Sequence, residues 1–151
     1  MEKFIIYTDG GSRGNPGRAG AGAVVADDMG VVLKEAHRAL GVMTNNEAEY
    51  QAVILGLETV KKAVGKSRVG AAKVEIRLDS ELVAKQLVGQ YQIKETNLQP
   101  LFMKIWNARV VTFPHLIFTH IPREKNRRAD WLANKAMDEG GRSLAKNLFS
   151  E

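Results

Sequence analysis

The sequence predicts an α/β or α+β domain built on one sheet, part antiparallel and part parallel. Three observations carry this reading. Three apolar, strand-like runs come first and are joined by short connections, the pattern of an antiparallel meander. Helical and strand-like segments then alternate to the end of the chain. Two of the strand-like runs end in an aspartate, and ligand sites of open α/β sheets gather at the carboxyl ends of strands. The length, 151 residues, suits one domain with a full core.

Each element has its own signal. "FIIYTD" (Phe4 to Asp9) reads as a buried strand ending in an acid. The following "GGSRGNPG" carries more glycine than an ordinary turn needs and reads as a loop that lets something approach its backbone. "AGAGAVVAD" (Ala19 to Asp27) and "GVVLKEAHRAL" (Gly30 to Leu40) form a hairpin, with Asp27 to Gly30 supplying the turn. "TNNEAEYQAVILGLETVKKAVG" opens with capping residue types, carries Glu47 and Glu49 in its first turn, places Ala48, Ala52, Leu55 and Thr59 on one face, and stops at Gly65. "AKVEIRLDS" (Ala72 to Ser80) is a second acid-terminated strand, followed by a short helix, "ELVAKQLVG". An amphipathic helix over Leu98 to Val111, a strand over His115 to Pro122 and a helix over Glu124 to Gly140 complete the order, the last with Ala129, Leu132, Ala133 and Ala136 inward. Residues 141–151 read as a loosely held tail after a domain spanning 1–140.

Composition excludes several classes. Cysteine is absent, so disulfides and thiolate metal sites are excluded. No apolar window approaches the roughly 18 residues of a membrane span, and "MEKFIIYTDGG" lacks the form of a signal peptide; the expected location is the cytoplasm, with no membrane partner and no obligate protein partner evident. The formal net charge of +5 leans toward polyanionic partners. Trp106 and Trp131 lie at helical core spacing and read as packing residues.

The acids carry the chemistry. If the first and fourth strands are parallel neighbours, Asp9 and Asp79 come close together, and Glu49 and Asp130 sit beside small or apolar helix residues that allow them to point inward. Taken singly, each acid reads as a turn, cap or solvated residue; their joint placement favours a site. Converging carboxylates raise one another's pKa unless hard cations occupy the cluster. Oxygen donors without cysteine or clustered histidine favour Mg2+ or Mn2+, two of which clamp the oxygens of an in-line phosphoryl displacement.

At "YTDGGSRGNPGRAGAGAVV", "TNNEAEYQAVILGL", "IRLDSELVAKQL", "IKETNLQPL" and "HIPREKNRRADWLANKA", taken together and in order, the chain resembles type 1 ribonuclease H from Phe4 to about Glu139. The resemblance implies a ribonuclease H-like α/β fold, a five-stranded mixed sheet with helices on both sides. It implies endonucleolytic cleavage of the RNA strand of RNA–DNA hybrids with two Mg2+ ions, and it places the acidic quartet, as catalytic residues and metal ligands, on Asp9, Glu49, Asp79 and Asp130. Glu49, not Glu47, is the matching glutamate. Gly11, Ser12 and Asn15 are implied to contact the RNA 2′-hydroxyls, and Thr44, Asn45 and Asn46 to meet the minor groove and a DNA phosphate. Arg123, Lys125, Arg127 and Arg128 flank Asp130 and suit phosphates, with Arg123 and Arg127 favoured as the substrate-binding pair.

The chain also departs from the family. "VGQYQIKETNLQPL" leaves no room for the basic, tryptophan-containing extension of many relatives. Glu95 stands where a phosphate-pocket asparagine is usual. "HIPREKNRRAD" is too short for the histidine loop assigned to proton transfer, so His120 reads as a strand residue, with Arg123 and Glu124 as alternative participants. Two other readings follow: a relative that also cleaves double-stranded RNA, and a non-catalytic duplex-binding module.

Overall fold

The computed structural model describes residues 1–149, with side chains as far as residue 142. β1 (Lys3–Gly14), β2 (Gly17–Asp27) and β3 (Val32–Met43) form the antiparallel meander. α1 (Asn45–Val64) and a short α2 (Lys66–Ala71) lead to β4 (Lys73–Leu78). α3 (Glu81–Leu87) and α4 (Gln99–Val111) lead to β5 (Leu116–His120), and a 3-10 turn (Arg123–Lys125) precedes α5 (Arg127–Phe149). One five-stranded sheet has the order β3-β2-β1-β4-β5, with β4 parallel to both β1 and β5. No helix among the described residues is long and apolar enough to cross a membrane.

Strand alternation divides the core between the two faces of the sheet. Phe4, Ile6 and Val25 point to one face and pack with Val53, Leu57 and Val60 of α1, Leu87 of α3 and Ile105 of α4. Val24 points to the other and packs with Ala129 and Leu132 of α5. Helices therefore lie on both sides, as expected. Thr44 caps α1: its hydroxyl accepts from Glu47 N at 3.2 Å while Glu47 Oε1 accepts from Thr44 N at 3.3 Å, a complete capping box. Asp27 makes the β2–β3 turn, its Oδ1 accepting from Met29 N and Val31 N.

Three expectations are corrected. The glycine-rich stretch is not a loop. β1 and β2 stay paired from Phe4↔Asp27 to Gly14↔Gly17, leaving only Asn15-Pro16, a cis peptide, at the tip. Gly10 in this stretch, and Gly22 on β2, serve close packing instead: a Cβ on Gly10 would fall inside the Ala48 carbonyl group, and one on Gly22 would lie 2.5 Å from the Ala129 carbonyl oxygen. Second, the stretch between Gly65 and Ala72, given no element by the sequence reading, forms a separate helix, α2, anchored by buried Val69. Third, α5 does not stop at Gly140. It continues to Phe149, and Gly140 and Gly141 lie within it against Ala39 and Arg18. Of the expected tail, residues 150–151 lie outside the described residues.

Candidate active site

β1 and β4 run parallel as far as the Tyr7↔Arg77 pair and then part. Asp9 follows on β1, and Asp79 lies just beyond the end of β4. α1 rests on β1 where Gly10 has no side chain, and this contact carries Glu49 over the same gap. One carboxylate oxygen from each of Asp9, Glu49 and Asp79 falls within 4.8 Å of the others. Glu47, two residues from Glu49, is used up in the cap. Asp130 reaches the same cleft from α5. It is exposed, with Oδ1 accepting from Asn134 Nδ2 at 3.3 Å. The four acids thus arrive as a close trio with a fourth at its open side.

The electrostatics are those of uncompensated charge. Burial, first, and then the charges of Asp79 and Asp130 push the Asp9 carboxyl up to about 8. Burial, then Asp9 and Asp79, hold Glu49 well above the ordinary carboxylate range. The Arg123 guanidinium opposes both shifts, as a lesser influence. Among the described residues no lysine or arginine is ion-paired with any of the four acids. Glu49 Oε2 is buried with no hydrogen-bond partner at all. Such an orphan ordinarily costs about 1–3 kcal/mol, more when charged. All-oxygen donors, a shared space and an unmet lone pair fit a hard divalent cation.

The whole cleft measures about 450 Å³, and beyond the acids it is built by β1, the start of α1, Ser80, Arg123 and Asn134. Gly11 and Ser12 line it, and Asn45 ties its parts together. Asn45 Oδ1 accepts from Ser12 N at 2.9 Å and from Ser12 Oγ at 3.0 Å, while Asn45 N donates to Asn15 Oδ1 at 3.0 Å. Asn46 lines the cleft too, its amide donating to Glu95 Oε1 at 3.0 Å. Thr44 and Asn15 stand outside the lining and act on it through the cap and through Asn45. Arg13 also lines it, bound to Asp138 and, at 3.4 Å, to Asn134 Oδ1.

The basic residues beside Asp130 separate. Arg123 lines the cleft; Arg127 is exposed and outside the lining. Arg128 is turned away, its Nε and Nη2 bonded to Glu35 at 2.7 and 2.8 Å, and Lys125 lies beside Tyr7 and Val24 in another depression. His120 and Glu124 are exposed and outside the lining. The two tryptophans are not core: Trp106 is 48% exposed and stacked on Phe102, and Trp131 is 50% exposed beneath Arg128 and Lys135. Helical spacing marked their faces, but each occupies the outer flank of its helix. One residue of the site went unread. Asn126 is 1% exposed, and its Nδ2 donates to Thr8 O at 2.8 Å and to Asp79 Oδ2 at 3.2 Å. The only sequence signal for it was an asparagine just ahead of a helix start.

With this geometry in hand, known proteins provide a measure. The family model described as "Reverse transcriptase-like" matches residues 7–136. The chain is similar to the "Bifunctional protein Rv2228c" of Mycobacterium tuberculosis, 41% identical over 95% of this chain and 38% of that protein. It is 42% identical to "Ribonuclease HI" of Halobacterium salinarum, over 88% of this chain and 63% of that one. The chain therefore spans less than two thirds of either relative. The crystal structure of LC11-RNase H1 in complex with an RNA/DNA hybrid superposes with a TM-score of 0.86 at 48% identity, covering 90% of this chain and 97% of that one.

Proposed function

The chain belongs to the ribonuclease H family, and we propose that it is an endonuclease that hydrolyses the RNA strand of RNA–DNA hybrids. The observation that carries this reading is the trio Asp9, Glu49 and Asp79, held within 4.8 Å of one another and left without a cationic partner, with Asp9 and Glu49 raised in pKa. Such a cluster is costly in a binding module and useful in a metal-dependent hydrolase. Asp9, Glu49 and Asp79, with Asp130 at the open side, would hold two divalent ions, Mg2+ first and Mn2+ as a substitute. When bound, the ions supply Lewis acidity to both the attacking and the leaving oxygen of a phosphodiester.

This chain's own residues do the remainder. Buried Glu49, on a helix seated against Gly10, and Asp9, paired with Gly22 on β2, give the cluster rigid walls. Gly11 and Ser12 present backbone and hydroxyl along the cleft, where a ribose 2′-hydroxyl is the group to be read. Asn45 and Asn46 extend that polar edge, held by Thr44 and Asn15. Arg123 is placed to meet a phosphate beside the metal ligands, and Arg127 to meet one farther along α5. The structure neighbour bound to an RNA/DNA hybrid supports that substrate class, and the cytoplasm is the compartment we assign.

A second substrate is kept as an alternative: 88–98, where many relatives carry a basic extension, holds no helix among the described residues, and a looser grip on that side would allow double-stranded RNA. An end-labelled RNA–DNA hybrid, a matched RNA duplex and a matched DNA duplex, each incubated with Mg2+, decide the matter. Cleavage of the RNA strand of the hybrid is expected, and none of duplex DNA. Cutting of duplex RNA adds the second substrate; Mg2+-independent binding without cleavage makes the chain a duplex-binding module and rejects the proposal.

A further inference from the structure

Asn126 lies at the meeting point of three elements that carry the acids. Its Nδ2 donates to the carbonyl of Thr8, the peptide leading directly into Asp9. The same Nδ2 donates to Asp79 Oδ2. Its backbone carbonyl accepts from Asp130 N at 3.1 Å, the first turn of α5. One side chain and its own peptide are thus bonded to the strand of Asp9, to the carboxylate of Asp79 and to the helix of Asp130.

The residue is 1% exposed, and its Oδ1 is buried with no hydrogen-bond partner. The amide orientation is settled by its surroundings. Turned over, Oδ1 would face a carbonyl and a carboxylate oxygen, acceptor against acceptors. A buried amide that leaves its own acceptor unmet is retained for what its donor does. Asp79 needs such a donor. It stands past the end of β4, so no strand pairing fixes its side chain, and a free carboxylate so close to Asp9 and Glu49 would turn away from them. Engaging Oδ2 fixes the plane of the carboxylate and directs it into the cluster.

We infer that Asn126 is a positioning residue of the metal site: by clamping Asp79 Oδ2 to the end of β1 it holds the Asp79 carboxylate in the orientation that lets it act as a ligand with Asp9 and Glu49. The inference rests on the reading of the acid trio as a metal centre. Groups that orient ligands from behind typically alter metal affinity or activity by about 10–100-fold when removed. An alternative role, plain filling of space beneath α5, makes a different prediction. A leucine would then serve as well as the amide.

Calorimetric titration of Mn2+ into the metal-free wild type, Asn126→Ala, Asn126→Leu, Asp79→Ala and Asp79→Ala/Asn126→Ala separates these possibilities. The leucine variant fills the space and guards against a fold lost to the cavity. Both single Asn126 variants are expected to bind Mn2+ about 10–100-fold more weakly, and to lose turnover on hybrid with KM for hybrid essentially unchanged. Adding Asn126→Ala to Asp79→Ala should weaken binding no further, because the amide acts through that carboxylate. In the protein with residue 126 untouched, the side-chain amide resonances of Asn126 should shift on Asp79→Ala. Failure of wild type to bind Mn2+, or wild-type affinity in Asp79→Ala, overturns the metal reading itself. With those two behaving as expected, wild-type affinity in Asn126→Leu, an additive loss in the double variant, or amide resonances that do not move overturns the positioning role alone.

Discussion

Replacing Gly10 with alanine should damage the fold and the site together. The added Cβ would fall well inside contact distance of the Ala48 carbonyl and 2.7 Å from Glu49 N, where at least about 3 Å is needed. All of these neighbours are backbone atoms, so no rotamer change relieves the clash. α1 must retreat from β1 by something on the order of an ångström. Overpacking of a core by one methyl costs about 1–3 kcal/mol, and the rigid backbone on both sides puts this case at the upper end. For a domain of this size about 3 kcal/mol corresponds to a fall in Tm of roughly 6–12 °C. Glu49 directly follows Ala48, so the same retreat draws its carboxylate from the trio, and a misplacement of about 1 Å is enough for a hundredfold loss of turnover. Gly11→Ala is the control for stability: its Cβ would meet only the flexible end of Met137, at 3.6 Å, and Tm should stay within a degree or two of wild type. Differential scanning calorimetry of both variants, with hybrid cleavage measured for Gly10→Ala, tests the reasoning. A Gly10→Ala protein with wild-type Tm and turnover would refute it, as would an equal loss of stability in Gly11→Ala.

Further perturbations probe the same electrostatics and the substrate grip. Asp9→Asn should abolish cleavage, and above about pH 8, where the Asp9 carboxylate is charged, the metal-free protein should melt at the same temperature or higher because a like charge has been removed from the cluster; a lower Tm by calorimetry at that pH contradicts this. Asp9 and Glu49 hold their protons more tightly folded than unfolded, so the folded state binds more protons between pH near 4 and about 8. The metal-free protein should therefore lose stability, on the order of a few kcal/mol, as pH rises through that window, and Mg2+ should offset the loss; urea midpoints at pH 5 and pH 9 with and without Mg2+ check the sign. Arg123→Ala should reduce the log–log salt slope of hybrid binding, measured in Ca2+, by about one unit, and Arg127→Ala should add a comparable reduction; an unchanged slope in the double variant rejects this surface as the grip.

Asp9 and Asp79 were legible because each ends an apolar run, whereas Glu49 was preferred to Glu47, and Asp130 singled out, by the family resemblance; the two-residue offset adds only that the two glutamates face different sides of the helix. The structure keeps that distinction, giving Glu47 to the cap and Glu49 to the cleft. What stayed hidden depends on partners remote in sequence. Gly10, Gly20 and Gly22 look like strand breakers until α1 and α5 press against them from either face. Gly140 and Gly141 read as a helix stop and are instead points of close approach to Ala39 and Arg18. α2, with Val69 as its one buried residue, has too short an apolar pattern to show a period. Trp106 and Trp131 fit a helical repeat whose phase only the packed sheet could set. Asn126 lies in a run of polar residues that gives no hint which of them is buried.

The bonds among Ser12, Asn15 and Asn45 join the tip of the β1–β2 hairpin to the first residue of α1. Two pieces of surface far apart in the chain are thereby set at one fixed spacing before any duplex arrives. Fixing a free, rotamer-rich side chain at an interface costs about 0.5–1.5 kcal/mol, and here that entropy has been surrendered during folding. Under the proposed function, a docking duplex would meet a rigid gauge. A groove whose width matches the span between hairpin tip and helix start seats without adjustment on the protein side. A groove that is too narrow or too wide must itself deform, and the selection of one helical form over another then falls on the stiffness of the nucleic acid.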